Sequence, residues 1–430
     1  MNDPQLKFAI IGAGPSGLAM AKVFCDLGIE FEGFESSETV GGLWNFNNPK
    51  SPLYPNVHLI SSRKKTQFQH FPMTGVSEDY PHHSKVFEYL NKYARHFDLI
   101  PFFRFNSAVN EIIRMKDEKW QLKLASGEMK IFDGVIIATG IYSTPNKPKI
   151  SGNFNGRMLH SSTIKELESF KNRRVLIIGS GNSGCDLACD LSRQNKQVGL
   201  SMRSGNYIIP KYLLGKPADS SSFGANLPIR VKQYIHEGFL NLISGKMKQF
   251  GLPTPNYRIY EKHPIVNSEI KHQIGHGHIK VLPEVTGFNG KFVIFKDNTS
   301  KQFDDVILAT GFTLNYPFLD KEHLNWKSGY PELQLNIFNS QRKNLYIIGL
   351  LSSLGLGWEG RYQQALIIGR YIRAKNRSQK VIQKFDRFIR KASDLSGGYN
   401  YKMENGQQYY VNNRTYLKYL KKGIKILSYA

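Results

Sequence analysis

The sequence is poor in cysteine and has no long apolar run. Three of its 430 residues are cysteine, Cys25, Cys185 and Cys189, and no two of them form a CxxC pair. A disulfide scaffold is therefore excluded, and a reduced, cytoplasmic protein is expected. The longest apolar stretch, near Leu345–Trp358, is interrupted by glycine and serine, and the start, Met1–Lys7, is short and polar. We expect neither a transmembrane segment nor a signal peptide.

Acidic residues are the minority charge. Lysine and arginine number 58 against 34 aspartates and glutamates, which gives a formal net charge of +24. No run of like charge exceeds a few residues, and no nucleic-acid-binding motif is present, so we expect no nucleic-acid partner. A basic surface that attracts an anionic cofactor is the favoured interpretation, and contact with a membrane surface stays open.

The stretch Phe8–Glu35 has the order of a dinucleotide-binding unit. An apolar run, Phe8–Ile11, is too short for a helix and predicts a buried parallel strand. The motif Gly12-x-Gly14-x-x-Gly17 follows, then a helical pattern that stops at Gly28, and then a second strand that ends at Glu35. Small residues also make ordinary strand-to-helix turns, but the order of strand, turn, helix and acid favours a nucleotide site.

Each residue of this turn has a physical task in such a site. Gly12 permits the tight turn, Gly14 lets the backbone approach a pyrophosphate, and Gly17 lets the helix pack closely on its strand. Pro15 lies near the helix start, where its missing N–H costs nothing. The pyrophosphate is expected at the positive helix end, with Glu35 accepting hydrogen bonds from a ribose.

A second unit of the same kind spans Arg174–Arg203. A strand, Val175–Ile178, leads into Gly179-x-Gly181-x-x-Gly184, a helix and a second strand. No acid ends that strand; Arg203 stands there, with Ser201 two residues before it. A guanidinium pairs with a 2′-phosphate that a carboxylate would repel, so NADPH is favoured over NADH. The alternative is a surface arginine without a ligand.

Two further segments complete the expected organisation. Asp133–Gly140 and Asp304–Gly311 are near-copies that each end in Ala-Thr-Gly, which suggests paired crossings between domains. We therefore expect an α/β fold with two Rossmann-like domains, the first of them discontinuous. The expected boundaries are 1–146 with 300–380 for the first domain, 147–299 for the second with a helical insertion at about 206–262 that packs in the core, and 381–430 for a basic C-terminal tail.

Several motifs together resemble the flavin-containing monooxygenases. They are Gly41-Gly42-Leu43-Trp44, the segment Leu53–Met73, Phe154-x-Gly156-x-x-x-His160 and Gln364-Ala365. Two positions depart from the family pattern. Ser62 stands where many members have an active-site asparagine, and Ile164 stands where the His motif usually ends in tyrosine or phenylalanine. The resemblance covers roughly Phe8–Tyr371.

The resemblance implies a single-chain enzyme with FAD in the first domain and NADPH in the second. It implies that NADPH reduces the flavin, that the reduced flavin and O2 form a C4a-hydroperoxyflavin, and that this species oxygenates a soft nitrogen or sulfur of a small molecule. A Baeyer–Villiger ketone monooxygenase and a non-oxygenating NADPH- and flavin-binding oxidoreductase or sensor remain alternatives. A homodimer is possible, and the tail is expected to cap the FAD domain, form an oligomer contact or touch a membrane.

The candidate site residues follow from the motifs and the resemblance. Ser62 is the candidate catalytic residue, and His160 is expected to tie the two domains and position NADP. No metal site is expected, since the His272, His276 and His278 tract lacks cysteine or acidic partners at ligand spacing. The residues expected to bind the two cofactors are Gly12, Gly14, Pro15, Ser16, Gly17, Glu35, Gly42, Leu43, Trp44, His58, Thr139, Gly140, His160, Gly179, Ser180, Gly181, Asn182, Ser183, Gly184, Ser201, Arg203, Thr310, Gly311 and Gln364.

Overall fold

Two five-stranded parallel sheets form the framework of the protein. The computed structural model describes residues 6–195, 197–220, 224, 226–392, 394–402 and 409–429. The first sheet has the spatial order Leu345–Ile347, Gly134–Ile137, Lys7–Ile11, Glu30–Phe34 and Phe103–Arg104. The second has the order Ile279–Leu282, Val198–Ser201, Val175–Ile178, Asp305–Leu308 and Arg157–His160. The predicted α/β class is confirmed.

The first unit is discontinuous, as predicted. Its edge strand, Leu345–Ile347, pairs with Gly134–Ile137 after the chain has built the whole second sheet. The strand Asp305–Leu308, however, pairs with Val175–Ile178 in the second sheet. The predicted boundary at residue 300 stays a prediction, and we propose that the chain returns to the first unit after this strand.

Helices surround the two sheets, some packing directly on a sheet and others on neighbouring elements. In the described chain they are α1 (Pro15–Leu27), α2 (Arg63–Thr66), α3 (His83–His96), α4 (Asn182–Ser192), α5 (Ile229–Ser244), α6 (Ile270–Gly275), α7 (Gly357–Lys375), α8 (Gln379–Lys391) and α9 (Asn413–Leu427). Short 3-10 turns occur at Gly42–Trp44, Ile100–Phe102, Ser161–Thr163, Glu168–Phe170, Ala218–Ser220, Met247–Phe250 and Lys321–Leu324.

Each unit also carries a three-stranded antiparallel sheet. The first consists of Val109–Arg114, Trp120–Leu124 and Met129–Phe132, and the second of Val285–Asn289, Phe292–Phe295 and Ser300–Gln302. In both units this sheet leads directly into the strand that ends in Ala-Thr-Gly. Two-residue strand pairs are Ile208–Ile209 with Ile265–Val266, Tyr212–Leu213 with Lys216–Pro217, and Trp326–Lys327 with Tyr330–Pro331.

The two crossings between the units run side by side. Thr144–Pro145 pairs antiparallel with Phe312–Thr313. The Thr310 hydroxyl donates to the Asn146 carbonyl at 2.5 Å, and the Asn146 N–H donates to the Gly311 carbonyl at 2.9 Å. The pairing inferred from the two Ala-Thr-Gly copies is thus present, and it fixes one unit against the other.

The insertion at 206–262 differs from the expectation of a helical, core-packed segment. It begins with short strands, and α5, the long helix of its described part, buries Gln233 and Leu240 while Tyr234 and Leu242 are 72% and 83% exposed. The helical period in the sequence identified the element correctly. The helical period does not specify which face of a helix is buried when apolar side chains are distributed around the helix axis.

The C-terminal segment packs on the first unit, the first of the three roles considered for it. Phe385 of α8 and Leu420 of α9 are fully buried in the same core as Ile367 of α7. A side chain at Gly423 would meet Ile367 Cδ1 at 2.6 Å, so α9 lies close against α7. Within the described residues, no helix is both long and apolar enough to cross a lipid bilayer.

Two glycines of the second glycine turn differ in how closely they are packed, which allows a test by their effect on the free energy of unfolding. A Cβ at Gly184 would lie 2.0 Å from the Gly179 carbonyl oxygen, whereas a Cβ at Gly181 meets nothing within 4 Å. We expect Gly184→Ala to destabilise the protein by about 3 kcal/mol through forced backbone movement. Gly181→Ala should cost no more than about 1 kcal/mol. Thermal or denaturant unfolding of the two variants checks this, and equal stability would contradict the assigned packing.

Candidate active site

The first glycine turn is built by close backbone approaches. Gly12 has φ +104°, and a Cβ there would lie 2.8 Å from the Ala138 carbonyl oxygen. A Cβ at Gly17 would lie 1.8 Å from the Gly12 carbonyl oxygen. Only glycine fits either position, so the N-terminus of α1 is held against the end of the first strand. Pro15 is the first helical residue and Ser16 follows it.

The Gly-Gly-Leu-Trp segment forms the opposite wall of this turn. Gly42 has φ +56°, and a Cβ there would lie 2.9 Å from Gly14 Cα. Leu43 and Trp44 continue a 3-10 turn, and Trp44 packs edge-to-face on Trp358 at 6.3 Å. The two backbones therefore leave a narrow cradle that side chains would fill. A flat or extended ligand can approach the backbone there.

Glu35 lies at the end of the second strand, beside the first turn. Its Oε2 accepts the Ala13 N–H at 2.7 Å, and its Oε1 accepts the Ser37 N–H at 2.9 Å. The side chain is 6% exposed, so these bonds fix the carboxylate. Among the described contacts Oε2 accepts this single bond and keeps a lone pair for a ribose hydroxyl.

Asn45 is a candidate that the sequence did not reveal. It is 3% exposed, and its Nδ2 is buried without a hydrogen-bond partner among the described residues. A buried amide donor without an acceptor is costly, and a polar ligand would supply the acceptor. Its position directly after Trp44 is the signal that could have identified it. The glycine cradle, the Glu35 carboxylate and this donor fit a dinucleotide such as FAD.

The second glycine turn repeats the geometry of the first. Gly179 has φ +108°, and a Cβ there would lie 2.4 Å from the Ala309 carbonyl oxygen, as Gly12 faces Ala138. Gly184 contacts Gly179 as Gly17 contacts Gly12. The backbone of each Ala-Thr-Gly segment thus packs against one of the two glycine turns. Thr139, Gly140 and Gly311 are on the surface at the carboxyl ends of these strands, and Thr310 is half-buried there.

The groups around the second turn fit the pyrophosphate of a second nucleotide. Gly181 is exposed with free space at its Cβ position, so the backbone is accessible. Asn206 Nδ2 donates to Ser180 Oγ at 3.2 Å, and Asn182 Oδ1 accepts the Val266 N–H at 2.8 Å. Asn182 therefore positions the start of α4 rather than pointing a free side chain at a ligand. Asn206 is another residue that motif spacing did not identify.

Arg203 and Ser201 have different surroundings. Arg203 is exposed, and the described chain gives its guanidinium no hydrogen bond or ion pair. It is free to bind a 2′-phosphate. Ser201 is 2% exposed, and its hydroxyl donates to the Pro283 carbonyl at 2.6 Å. This bond holds neighbouring strand ends together, so the structure gives Ser201 a structural partner.

His160 joins the His motif to the second crossing. Its Nε2 lies 3.0 Å from the Gly311 carbonyl, which can only accept, so Nε2 carries the proton. Nδ1 accepts the Ser162 N–H at 3.2 Å. Burial lowers the pKa of His160, which keeps the imidazole neutral. This contact joins two strand ends of the second sheet at the start of the crossing, and the role of His160 in tying the two units stays a prediction.

Tyr54 reaches from the first unit into the second. Its hydroxyl donates to Asp186 Oδ2 at 3.0 Å, and the Ser183 side chain bonds the Tyr54 hydroxyl. Asn267 Nδ2 donates to the other Asp186 oxygen at 2.6 Å. Burial raises the pKa of Tyr54 well above its usual value, so the phenol remains a donor. Ser183 and Asp186 belong to the first two turns of α4.

Ser62 is buried where both units meet. It is 4% exposed, and its backbone N–H donates to Asp219 Oδ2 at 2.6 Å. Asp219 belongs to the insertion, and its Oδ1 is buried without a partner in the described structure. Ser62 precedes α2, and that helix packs so tightly on α7 that a Cβ at Gly357 would lie 1.8 Å from the Lys65 carbonyl oxygen. Sequence spacing gave no sign of Asp219.

Two predicted cofactor residues lie apart from the glycine turns or are already engaged. His58 is exposed; its Nδ1 bonds the Asn56 carbonyl at 2.9 Å and its ring packs edge-to-face on His82 at 5.1 Å. None of its bonds or ring contacts in the described structure is to a glycine turn. Gln364 is fully buried and uses both ends of its amide on protein groups. No cluster of metal-ligating side chains occurs among the described residues.

Comparison with known proteins gives the family. Residues 5–421 match the family model of flavin-binding monooxygenase-like proteins. Human flavin-containing monooxygenase 3 is 32% identical over 375 residues, covering 81% of this chain and 70% of that protein. Human flavin-containing monooxygenase 5 is 33% identical with the same coverage.

Solved structures show the same fold. The S-allyl-L-cysteine S-oxygenase of Allium sativum superposes with a TM-score of 0.67 at 19% identity, covering 99% of this chain and 89% of that one. A steroid monooxygenase bound to NADP superposes with a TM-score of 0.74 at 15% identity, covering 99% and 98%. The chain belongs to the flavin-binding monooxygenase-like family and is an FAD-dependent monooxygenase that uses NADPH.

Proposed function

We propose that this monooxygenase oxygenates a soft nitrogen or sulfur atom of a small molecule. The pair of equivalent glycine turns, one on each parallel sheet and joined by paired crossings, supports the two-cofactor part of this proposal. FAD in the first and NADPH in the second serve one reaction between the units. A 34% identical human relative is named a putative N-oxide-forming dimethylaniline monooxygenase, which supports oxygenation of nitrogen rather than of a ketone.

Each of the two units binds one cofactor through its own residues. The first turn, Glu35 and the Gly42–Trp44 segment hold FAD, and the second turn with Arg203 holds NADPH. When both cofactors are bound, NADPH would supply the hydride, and the flavin would accept it and activate oxygen. The protein orients the two groups and excludes water, which requires no nucleophilic side chain.

Ser62 and Asp219 border the proposed reaction space. The Ser62 N–H is already bonded to Asp219, so its hydroxyl is the group available to a ligand. A hydroxyl donates one hydrogen bond where the family's asparagine amide donates two. The unpartnered Asp219 oxygen would accept a further bond from a donor on substrate or cofactor. Both residues remain proposals for the site.

Product analysis tests the proposed reaction. The purified, FAD-loaded protein is given NADPH and 18O2 with a tertiary amine, a thioether or a cyclic ketone. We expect an N-oxide or sulfoxide that carries one labelled oxygen per NADPH oxidised. Labelled ester or lactone from the ketone alone would indicate a Baeyer–Villiger enzyme. Hydrogen peroxide as the sole oxygen product would indicate a non-oxygenating oxidoreductase.

Arg203 should determine the choice between NADPH and NADH. Arg203→Ala removes a guanidinium that can bind the 2′-phosphate bidentately, and such charge-assisted bonds contribute about 2 kcal/mol. We expect the KM for NADPH in flavin reduction to rise about 30-fold while that for NADH is unchanged. Arg230→Ala, an exposed arginine on α5, is the control. An unaltered ratio of the two KM values would refute the assignment.

Tyr54 should hold the NADP-binding helix from the opposite unit. Tyr54→Phe deletes the bond to Asp186 and leaves a buried carboxylate with fewer donors, which costs about 1.5 kcal/mol. We expect about tenfold weaker NADP+ binding and a larger share of NADPH lost to peroxide, with FAD content unchanged. Tyr89→Phe is the matched control, because the buried Tyr89 hydroxyl bonds only Phe68 and Phe71 within the first unit in the described structure. Equal effects of both variants would reject this role.

The three cysteines support the proposed compartment. Cys25, Cys185 and Cys189 are free thiols. We propose a reducing, cytoplasmic setting on that basis. A homodimer likewise remains a proposal.

A further inference from the structure

Arg361 is a half-buried cation without an acidic partner among the described residues. It lies in the second turn of α7, half-buried, and its Nη1 donates to the Gly357 carbonyl at 3.0 Å. No carboxylate among the described residues forms an ion pair with it. Desolvation lowers the pKa of its guanidinium, and Tyr142 is the single group that opposes this effect. A cation removed from water in this way calls for an anion.

Arg361 and the first glycine turn lie on either side of Gly349. A Cβ built on Gly349, which has φ +86°, would lie 2.3 Å from Ser16 Oγ and 3.9 Å from Arg361 Nε. Ser16 is the second residue of α1. Gly349 therefore separates the guanidinium from the N-terminus of α1 without a side chain between them. The free backbone N–H groups at a helix N-terminus attract a phosphate.

Buried hydrogen bonds hold Gly349 in place. The Gly349 N–H donates to Gln364 Oε1 at 2.9 Å, and Gln364 Nε2 donates to the Tyr416 hydroxyl at 2.7 Å. Tyr416 in turn donates to the Leu335 carbonyl at 2.6 Å. Gln364 follows Arg361 by three residues on α7, so the same helix turn carries the cation and the group that orients Gly349. The C-terminal helix α9 supports both through Tyr416.

We propose that Arg361 is the counter-ion of the FAD pyrophosphate. The first turn of α1 binds the diphosphate through backbone N–H groups from one side, and the Arg361 guanidinium binds it from the side of α7. An arginine suits this position because its planar fork forms two parallel bonds to phosphate oxygens. The proposal rests on FAD binding at the first glycine turn, and it assigns Gln364 a positioning role in place of direct cofactor contact.

Equilibrium binding to the apoprotein tests the proposal. With the NADP site saturated by NADP+, the dissociation constants of FAD, ADP and riboflavin are measured for wild type and for Arg361→Gln. ADP carries the diphosphate without the flavin, and riboflavin carries the flavin without phosphate. We expect Arg361→Gln to weaken FAD and ADP at least tenfold and to leave riboflavin unchanged. Arg373→Gln, an exposed arginine on the same helix, is the control and should change none of them.

Three results separate the alternatives. Unchanged binding of FAD and ADP by Arg361→Gln overturns the proposal. Weaker FAD and riboflavin with unchanged ADP also overturns it, because the arginine would then act on the flavin ring. If wild type itself refuses FAD, the proposed function fails instead.

A conservative variant covers the case in which Arg361→Gln does not fold. Arg361→Lys keeps the charge and loses the fork, so we expect FAD and ADP binding about three- to tenfold weaker than wild type with NADP+ affinity unchanged. Wild-type affinity for FAD and ADP in Arg361→Lys would contradict bidentate binding.

Discussion

The structure depends on one steric constraint that occurs twice. In each unit a glycine with positive φ lies against the carbonyl of an alanine on the neighbouring strand, Gly12 on Ala138 and Gly179 on Ala309. Any side chain at either glycine would collide with backbone atoms. The constraint brings the helix N-terminus, the end of the central strand and the start of a crossing to one place, which is the arrangement that a phosphate site requires.

The crossings convert two independent nucleotide sites into one reaction site. Because both Ala-Thr-Gly segments continue into the paired strands at Thr144–Pro145 and Phe312–Thr313, the two turns keep a defined relation. His160 reinforces the second crossing, and Tyr54 connects the first unit to α4. Catalysis by two bound cofactors requires orientation more than reactive side chains, and these contacts supply it.

The sequence determined the parts that local geometry dictates. The spacing of Gly12, Gly14 and Gly17 encodes a turn, and its repetition at residue 179 predicted the second unit and hence the fold class. The motif spacing did not identify Asn45 or Asp219, because what distinguishes them is burial without a partner among the described residues, which depends on distant segments. The prediction that α5 packs in the core was also wrong, since a period of 3.6 residues indicates a helix but not how much of its surface is buried. Ser201 fits the motif position yet bonds another strand.

We infer that the flavin and nicotinamide rings meet between the two units. Anaerobic titration of the reduced, FAD-loaded protein with NADP+, followed by absorption spectroscopy, measures this contact. We expect a new long-wavelength charge-transfer band that saturates at one NADP+ per flavin, because such a band requires the two rings to be in contact. Tight binding of NADP+ without any such band would show that the rings do not meet.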